Sequence, residues 1–249
     1  MLRYGGLAIL AVAALIVAGI ALAQRTPERD ALVAPVSPPM ASATATAGTL
    51  KIRLPANPRL LIVGDSYTAG VGADRPDQSW AYLAARDLGY PFKVDGIGGT
   101  GFAWGGGAAG DRGREYSVRM REAKAARSFT PNLVVLQGGQ NDSLAQNPVA
   151  VQAAVKQTVD TARQLWPGIQ VVILGPSAPL PLAADLQGVN GDVRAGAAAA
   201  GVPFIDASAE GWFNASNSSA MNFDGSHVNA AGHRLIADKF LAAWATITS

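Results

Sequence analysis

The sequence predicts an α/β domain, a parallel sheet of five strands with helices on both faces. Three observations lead there. Stretches of strand length alternate with stretches of helical spacing five times. The clearest strand, Leu60-Leu61-Ile62-Val63, is a continuous apolar run, which fits a strand buried on both faces. Polar residues able to do chemistry fall close behind strand ends, where open parallel sheets bind ligands.

Taken in order, Leu60 to Val63 is the first strand and stops at Gly64. Ser79 to Leu88 has helical spacing, with Trp80, Leu83, Ala84 and Leu88 on one side and Gly89 as a stop. Phe92 to Val94 is a short second strand, and Glu115 to Phe129 reads as a charged surface helix. Leu133 to Leu136 is the third strand, followed by a long helix from Pro148 to Trp166 with proline near its start. Ile169 to Leu174 is the fourth strand, stopped by Gly175-Pro176. Leu182 to Ala200 is a weaker helix broken by glycines, Val202 to Ile205 a short fifth strand, and Asn229 to Trp244 a closing helix. No internal repeat is visible.

Ahead of this domain, assigned to residues 57–249, lie two stretches of different character. From Leu7 to Ala23 every residue is apolar or glycine, after a positive charge at Arg3. Ala21-Leu22-Ala23 places small residues where a signal peptidase reads them, so residues 1–23 fit a cleaved signal peptide. Counted from Tyr4, the same run is also long enough to anchor the chain in a bilayer. Either way the chain is expected to be exported, and secreted or held at the outer face of the cytoplasmic membrane. Residues 24–56 are rich in Pro, Ala, Ser and Thr and poor in large apolar side chains, which predicts a flexible linker. The formal charge is only +2 with scattered basic residues, which gives no footprint for nucleic acid. The chain has no cysteine, so disulfides, cysteine nucleophiles and thiolate metal sites are excluded.

Four short stretches carry the chemistry: Gly64-Asp65-Ser66-Tyr67, Gly98-Gly99, Gly139-Gln140-Asn141-Asp142 and Asp224-Gly225-Ser226-His227. Serine needs a base to become a nucleophile, and the chain has two histidines, His227 and His233. Asp224 stands three residues before His227 and can hold its imidazole in the correct tautomer. His233 falls on the closing helix and reads as a surface or helix-packing residue. Ser66, at a strand-to-helix turn, can cap a helix and also present its hydroxyl. Asp65 is a turn former or cap with at most a supporting role. The backbone N–H of Ser66, that of Gly99 and the amide of Asn141 are candidate donors to an oxyanion. The lipase elbow Gly-x-Ser-x-Gly is absent, as are the zinc-protease, phosphate-loop and calcium-loop patterns.

On these four stretches the chain resembles an SGNH hydrolase of the GDSL esterase/lipase superfamily, over about residues 58–245. Gly64-Asp65-Ser66-Tyr67 is similar to the family block whose serine is the nucleophile. Ile97-Gly98-Gly99-Thr100 is similar to the block whose glycine donates to the oxyanion, with Gly98 and Gly99 both open as the donor. Asp95-Gly96 stands where the family often has an asparagine. Gly139-Gln140-Asn141-Asp142 is similar to the Gly-x-Asn-Asp block, whose asparagine is a further donor. Asp224-Gly225-Ser226-His227 is similar to the Asp-x-x-His block that carries acid and base. The resemblance implies a flavodoxin-like three-layer α/β/α sandwich and hydrolysis of carboxylic esters, with no metal and no cofactor.

Phe102 and Trp104, the loop Gly175 to Pro181, and Trp212 and Phe213 are candidates to line the substrate. The expected substrate is a short-chain acyl or acetyl ester, on a small molecule or a glycan. An acyltransferase using the same residues and a non-catalytic surface-binding module are the two rival readings.

Overall fold

The computed structural model describes residues 50–106 and 113–248. The signal peptide or anchor, and most of the linker, lie outside the described residues.

Five strands form one sheet: β1 (Leu60–Gly64), β2 (Phe92–Gly96), β3 (Leu133–Gln137), β4 (Gln170–Leu174) and β5 (Phe204–Ile205). Their order is β2-β1-β3-β4-β5 and every pairing is parallel. This is the flavodoxin-like order, which has its topological switch between β1 and β3. The registers run level: Gly64, the last residue of β1, faces Gly96 on one side and Gln137 on the other. The three segments that follow these residues therefore leave the sheet at the same height.

The helices are α1 (Ser66–Ala69), α2 (Trp80–Leu88), α3 (Tyr116–Ala125), α4 (Pro148–Leu165), α5 (Leu182–Asp185), α6 (Gln187–Ala200), α7 (Ser218–Met221) and α8 (Ala230–Ile247). Right-handed crossovers put α2 on one face and α3, α4 and α6 on the other, because the chain reverses direction across the sheet after β2. Packing follows this rule: α2 lies against α8, α3 against α4, and α4 against α6. The central strands β1 and β3 are buried along their whole length, as the apolar runs Leu60–Val63 and Leu133–Leu136 require.

Several boundaries differ from the sequence reading. The predicted helix over Leu182 to Ala200 is two helices, joined at Leu186. The helix predicted to reach Phe129 ends at Ala125, and Arg127 has φ 52°. The surface character expected of α3 holds for one side only. Its other side buries Tyr116, Ser117, Arg119 and Met120. The fifth strand keeps only Phe204–Ile205, because Pro203 has no N–H for the ladder and contributes only its carbonyl, to Ile173 N. The folded unit also starts before residue 57. Ile52 is buried and its N–H donates to Ile247 O at 2.9 Å, so the end of the stretch read as linker packs against the end of α8.

His233 is fully buried on α8, which makes it the helix-packing residue of the two alternatives. Its Nδ1 accepts from Trp80 N at 3.3 Å and its Nε2 donates to Val71 O at 3.0 Å. That pattern needs the neutral ring. Burial pushes its pKa below the ordinary histidine value, and the nearby His227 adds to this, against the Val71 bond. The unfolded chain therefore binds a proton at a pH where the folded chain does not. The stability this group contributes is complete above the unfolded value of about 6.5 and falls away as pH drops through the folded value. Thermal melts from pH 7.5 to 5 should show a steeper fall in Tm for the wild type than for His233→Gln. Equal slopes would remove this group from the acid response.

Candidate active site

The chain leaves β1 at Gly64 and turns at once into the four-residue α1. A Cβ on Gly64 would lie 2.1 Å from Thr68 Oγ1, so only glycine lets the helix fold back over the strand end. Asp65, not Ser66, caps this helix: its carboxylate accepts from Tyr67 N at 2.9 Å. Ser66 is the first helical residue. Its N–H finds no acceptor among the described residues, as expected of a first-turn donor. Its hydroxyl is turned to the loop before α8.

That loop is built around Asp224. Its Oδ1 accepts from Ser226 N at 2.9 Å and His227 N at 2.8 Å, closing a local turn. Phe223 N donates to His227 O at 2.9 Å, and Asn222 bridges Val228. The same carboxylate meets His227 Nδ1 at 2.9 Å through Oδ2, and His227 Nε2 lies 2.9 Å from Ser66 Oγ. With a carboxylate at Nδ1, the ring carries its proton there and Nε2 is left to accept from the serine hydroxyl. Burial pushes Asp224 up. The imidazole hydrogen bond, the two backbone N–H groups and the charge of His227 outweigh it and hold the carboxyl below its ordinary value.

Two contacts fix the loop against the rest of the site. Tyr67 Oη donates to Ser226 O at 2.7 Å, and Gln140 Nε2 donates to the same oxygen at 3.3 Å. The Tyr67 ring also stands 5.6 Å from the His227 ring. Behind the serine, Gln137 Nε2 donates to Asp65 Oδ2 at 3.2 Å while its Oε1 accepts from Thr68 Oγ1 at 2.7 Å. Burial pushes Asp65 up to about 7, against the bonds from Tyr67 and Gln137 that lower it.

The candidate oxyanion donors converge from three strand ends. Gly98 stands beside Ser66, since a Cβ there would lie 3.7 Å from Ser66 Cβ. Gly99 follows with φ 75°, a left-handed conformation that suits glycine. The N–H groups of both lack an acceptor among the described residues. Asn141 opens a 3-10 turn after β3 and donates one amide hydrogen to Thr100 O at 2.9 Å. An amide has two, and the second is unused among the described residues.

Asp142, which the sequence reading left without a role, is a buried latch. It accepts from Phe102 N at 3.1 Å, Ala103 N at 2.6 Å and Trp104 N at 3.2 Å. Burial raises its pKa, against these three bonds. The latch turns Phe102 inward. Phe102 is only 2 % exposed, and its ring lies 4.8 Å from that of Tyr116, so it is a core residue and not a substrate-lining one. Trp104 is half-buried. Trp212 is buried too, its indole N–H donating to Glu210 at 2.8 Å. Phe213 lines a cavity of about 200 Å³ together with Pro176, Ala178 and Leu180 of the proline-rich loop. Pro176 in turn abuts Gly139, two residues before Asn141.

A parallel sheet in this order serves many functions, and it is the residues gathered over its carboxyl ends that point to an ester hydrolase. Residues 62–235 match the GDSL-like Lipase/Acylhydrolase family, and the chain belongs to that family. It is 33 % identical over 205 residues to the GDSL lipase Rv0518 of Mycobacterium tuberculosis, covering 77 % of this chain and 82 % of that protein. Among solved structures it is similar to a carbohydrate esterase family 2 enzyme with a carbohydrate-binding domain from Corynascus thermopiles (Myceliophthora fergusii). The TM-score is 0.61 at 21 % identity, over 79 % of this chain and 68 % of that one. It is also similar to the salicylyl-acyltransferase SsfX3 of a tetracycline biosynthetic pathway, with a TM-score of 0.55 at 20 % identity, over 78 % of this chain and 56 % of that one.

Proposed function

We propose that the protein hydrolyses short-chain carboxylic esters, acetyl esters on glycans among them, through an acyl-enzyme on Ser66. The observation that carries this reading is the unbroken hydrogen-bonded line from Asp224 through His227 to Ser66 Oγ. His227 Nε2 takes the hydroxyl proton as Ser66 Oγ bonds to the ester carbonyl carbon. The resulting oxyanion lies among the N–H groups of Ser66 and Gly99 and the free hydrogen of Asn141. His227 then gives its proton to the departing alcohol as the carbonyl-to-oxygen bond breaks. A water, deprotonated by the same nitrogen, attacks the acyl group, and the proton returns to Ser66 as the acid leaves. Asp224 stays ionised and holds the ring.

The lean to short acyl groups rests on the expected location at the outer face of the cell, where acetylated glycans are met. The apolar N-terminal stretch supports action outside the cytoplasm, which the mature N-terminus of the exported fraction would check.

Nitrophenyl esters of increasing acyl length, assayed on the wild type beside Ser66→Ala, test the reading. Activity that falls with chain length and vanishes in the variant supports it. A preference for long chains overturns the substrate assignment. Asn141→Ala should cost about 3 kcal/mol of transition-state stabilisation, or about a hundredfold in kcat. An unchanged rate in the folded variant removes Asn141 from the mechanism.

A further inference from the structure

The helix α3 carries a feature that ester hydrolysis as described does not use. Arg119 is 2 % exposed, and its guanidinium is spent on backbone carbonyls and polar side chains around the site rather than on solvent. Its Nη1 donates to Gly64 O at 3.0 Å and to Thr100 Oγ1 at 2.9 Å. Its Nη2 donates to Asp95 O and pairs with Asp95 Oδ1 at 2.9 Å, while Nε reaches Asp95 Oδ2 at 3.3 Å. The Tyr116 ring lies beside it, with Cζ 5.4 Å from the ring centre. A buried cation is costly unless it is paired and its donors are satisfied. Here every nitrogen has an acceptor.

What those acceptors are is informative. Gly64 is the residue from which the chain turns to Ser66. Asp95 is near the end of β2, where the glycine loop departs. Thr100 closes that loop: its hydroxyl donates to Ile97 O at 2.7 Å, and its carbonyl accepts the Asn141 amide at 2.9 Å. One planar fork thus references the segments bearing Ser66, Gly98-Gly99 and, through Thr100, Asn141.

We propose that Arg119 is a positioning residue of the oxyanion cradle: it sets the spacing of the donor segments through Gly64 O, Asp95 and the Thr100 hydroxyl, and reaches Asn141 only by way of Thr100. The inference rests on the proposed acyl-enzyme reading. A positioning role needs the fork as well as the charge, so lysine, a point charge on a flexible stem, cannot replace it.

The test uses the full-length wild type with Arg119→Lys, Arg119→Met and Thr100→Val. Each is titrated for reactive sites with diethyl p-nitrophenyl phosphate and assayed on p-nitrophenyl acetate, with phenylboronic acid as a tetrahedral mimic. Arg119→Met should lose about a hundredfold in kcat per titrated site, the size that an ångström of misplacement costs. Arg119→Lys should lose at least about tenfold, and in both KM should move by less than about threefold, because the loss falls on the transition state. Boronate affinity should fall in step with kcat/KM. If the Arg119 variants do not fold, Thr100→Val decides: it removes the loop's hydroxyl, leaves the cation with Asp95 and Gly64, and should lose about tenfold in kcat per site. Fewer titratable sites with full kcat at each would mark a merely structural residue and overturn the proposal. So would a lysine variant at wild-type kcat, or Thr100→Val at wild-type kcat where no Arg119 variant folds. A wild type that neither hydrolyses the ester nor reacts with the phosphate would instead sink the functional reading on which the proposal stands.

Discussion

Purified Ser66→Ala is expected to hydrolyse p-nitrophenyl acetate about 10⁴–10⁶-fold more slowly than the wild type, with its Tm within a few degrees. The size follows from the loss of the covalent route. His227 keeps its place on Asp224 and the donors keep theirs, so what survives is the residual rate from the oxyanion cradle and from binding. The small effect on stability follows from the division of labour at the β1–α1 turn. Asp65 performs the capping. Among the described residues, the one hydrogen bond of the Ser66 side chain is to His227. Measuring kcat beside a thermal melt separates the two. A variant that keeps a tenth of the wild-type rate would rule out Ser66 as the nucleophile.

Asp224→Asn should be the second largest loss, about 10⁴-fold in kcat, with the loop intact. The substituted amide keeps an oxygen that can still accept from Ser226 N and His227 N, so the local turn survives. Its nitrogen, however, takes the place of the oxygen that now meets Nδ1 at 2.9 Å. A donor there forces Nδ1 to become the acceptor and moves the ring proton to Nε2. Nε2 then points a hydrogen at Ser66 Oγ and cannot take one from it. The prediction is therefore a wrong tautomer and not a displaced ring. The imidazole N–H proton resonance should move from Nδ1 to Nε2 in the variant. A variant that retains most of its kcat would show that the carboxylate is dispensable.

The strands and the candidate site residues were legible because their signals are local. An unbroken apolar run such as Leu133 to Leu136 has one comfortable place, the middle of a covered sheet. Ser66, Asn141 and the Asp224–His227 pair each sit within a few residues of a strand end or a helix start. Their meeting then follows from the topology. What was not legible depends on the partner across space. Arg119 sits in a stretch with Arg114, Glu115, Arg121, Glu122 and Lys124, where a charge reads as solvated. Its burial is decided by Asp95 and two strand-end carbonyls far away in sequence. Phe102 looked like a site aromatic because it lies in the right loop, yet Asp142 gathers that loop's N–H groups and turns the ring into the core. Ile52 looked like linker because the stretch leading to it is rich in Pro, Ala, Ser and Thr, and the α8 end that covers it is nearly two hundred residues away. The roles of Gln137 and Tyr67 had only a faint signal, a polar residue at the end of an apolar strand and an aromatic beside the nucleophile.

Ser66 and His227 are 161 residues apart, and His227 arrives on the last loop before the closing helix. A ribosome delivers them in that order. Domains fold as units, and β1 needs β2 and β3 on either side of it. Until the last loop is in place, Ser66 is an ordinary alcohol with no acceptor for its proton. On the proposed mechanism reactivity therefore appears only when that loop closes on Tyr67 and Gln140, and a chain cut short before His227 is chemically silent.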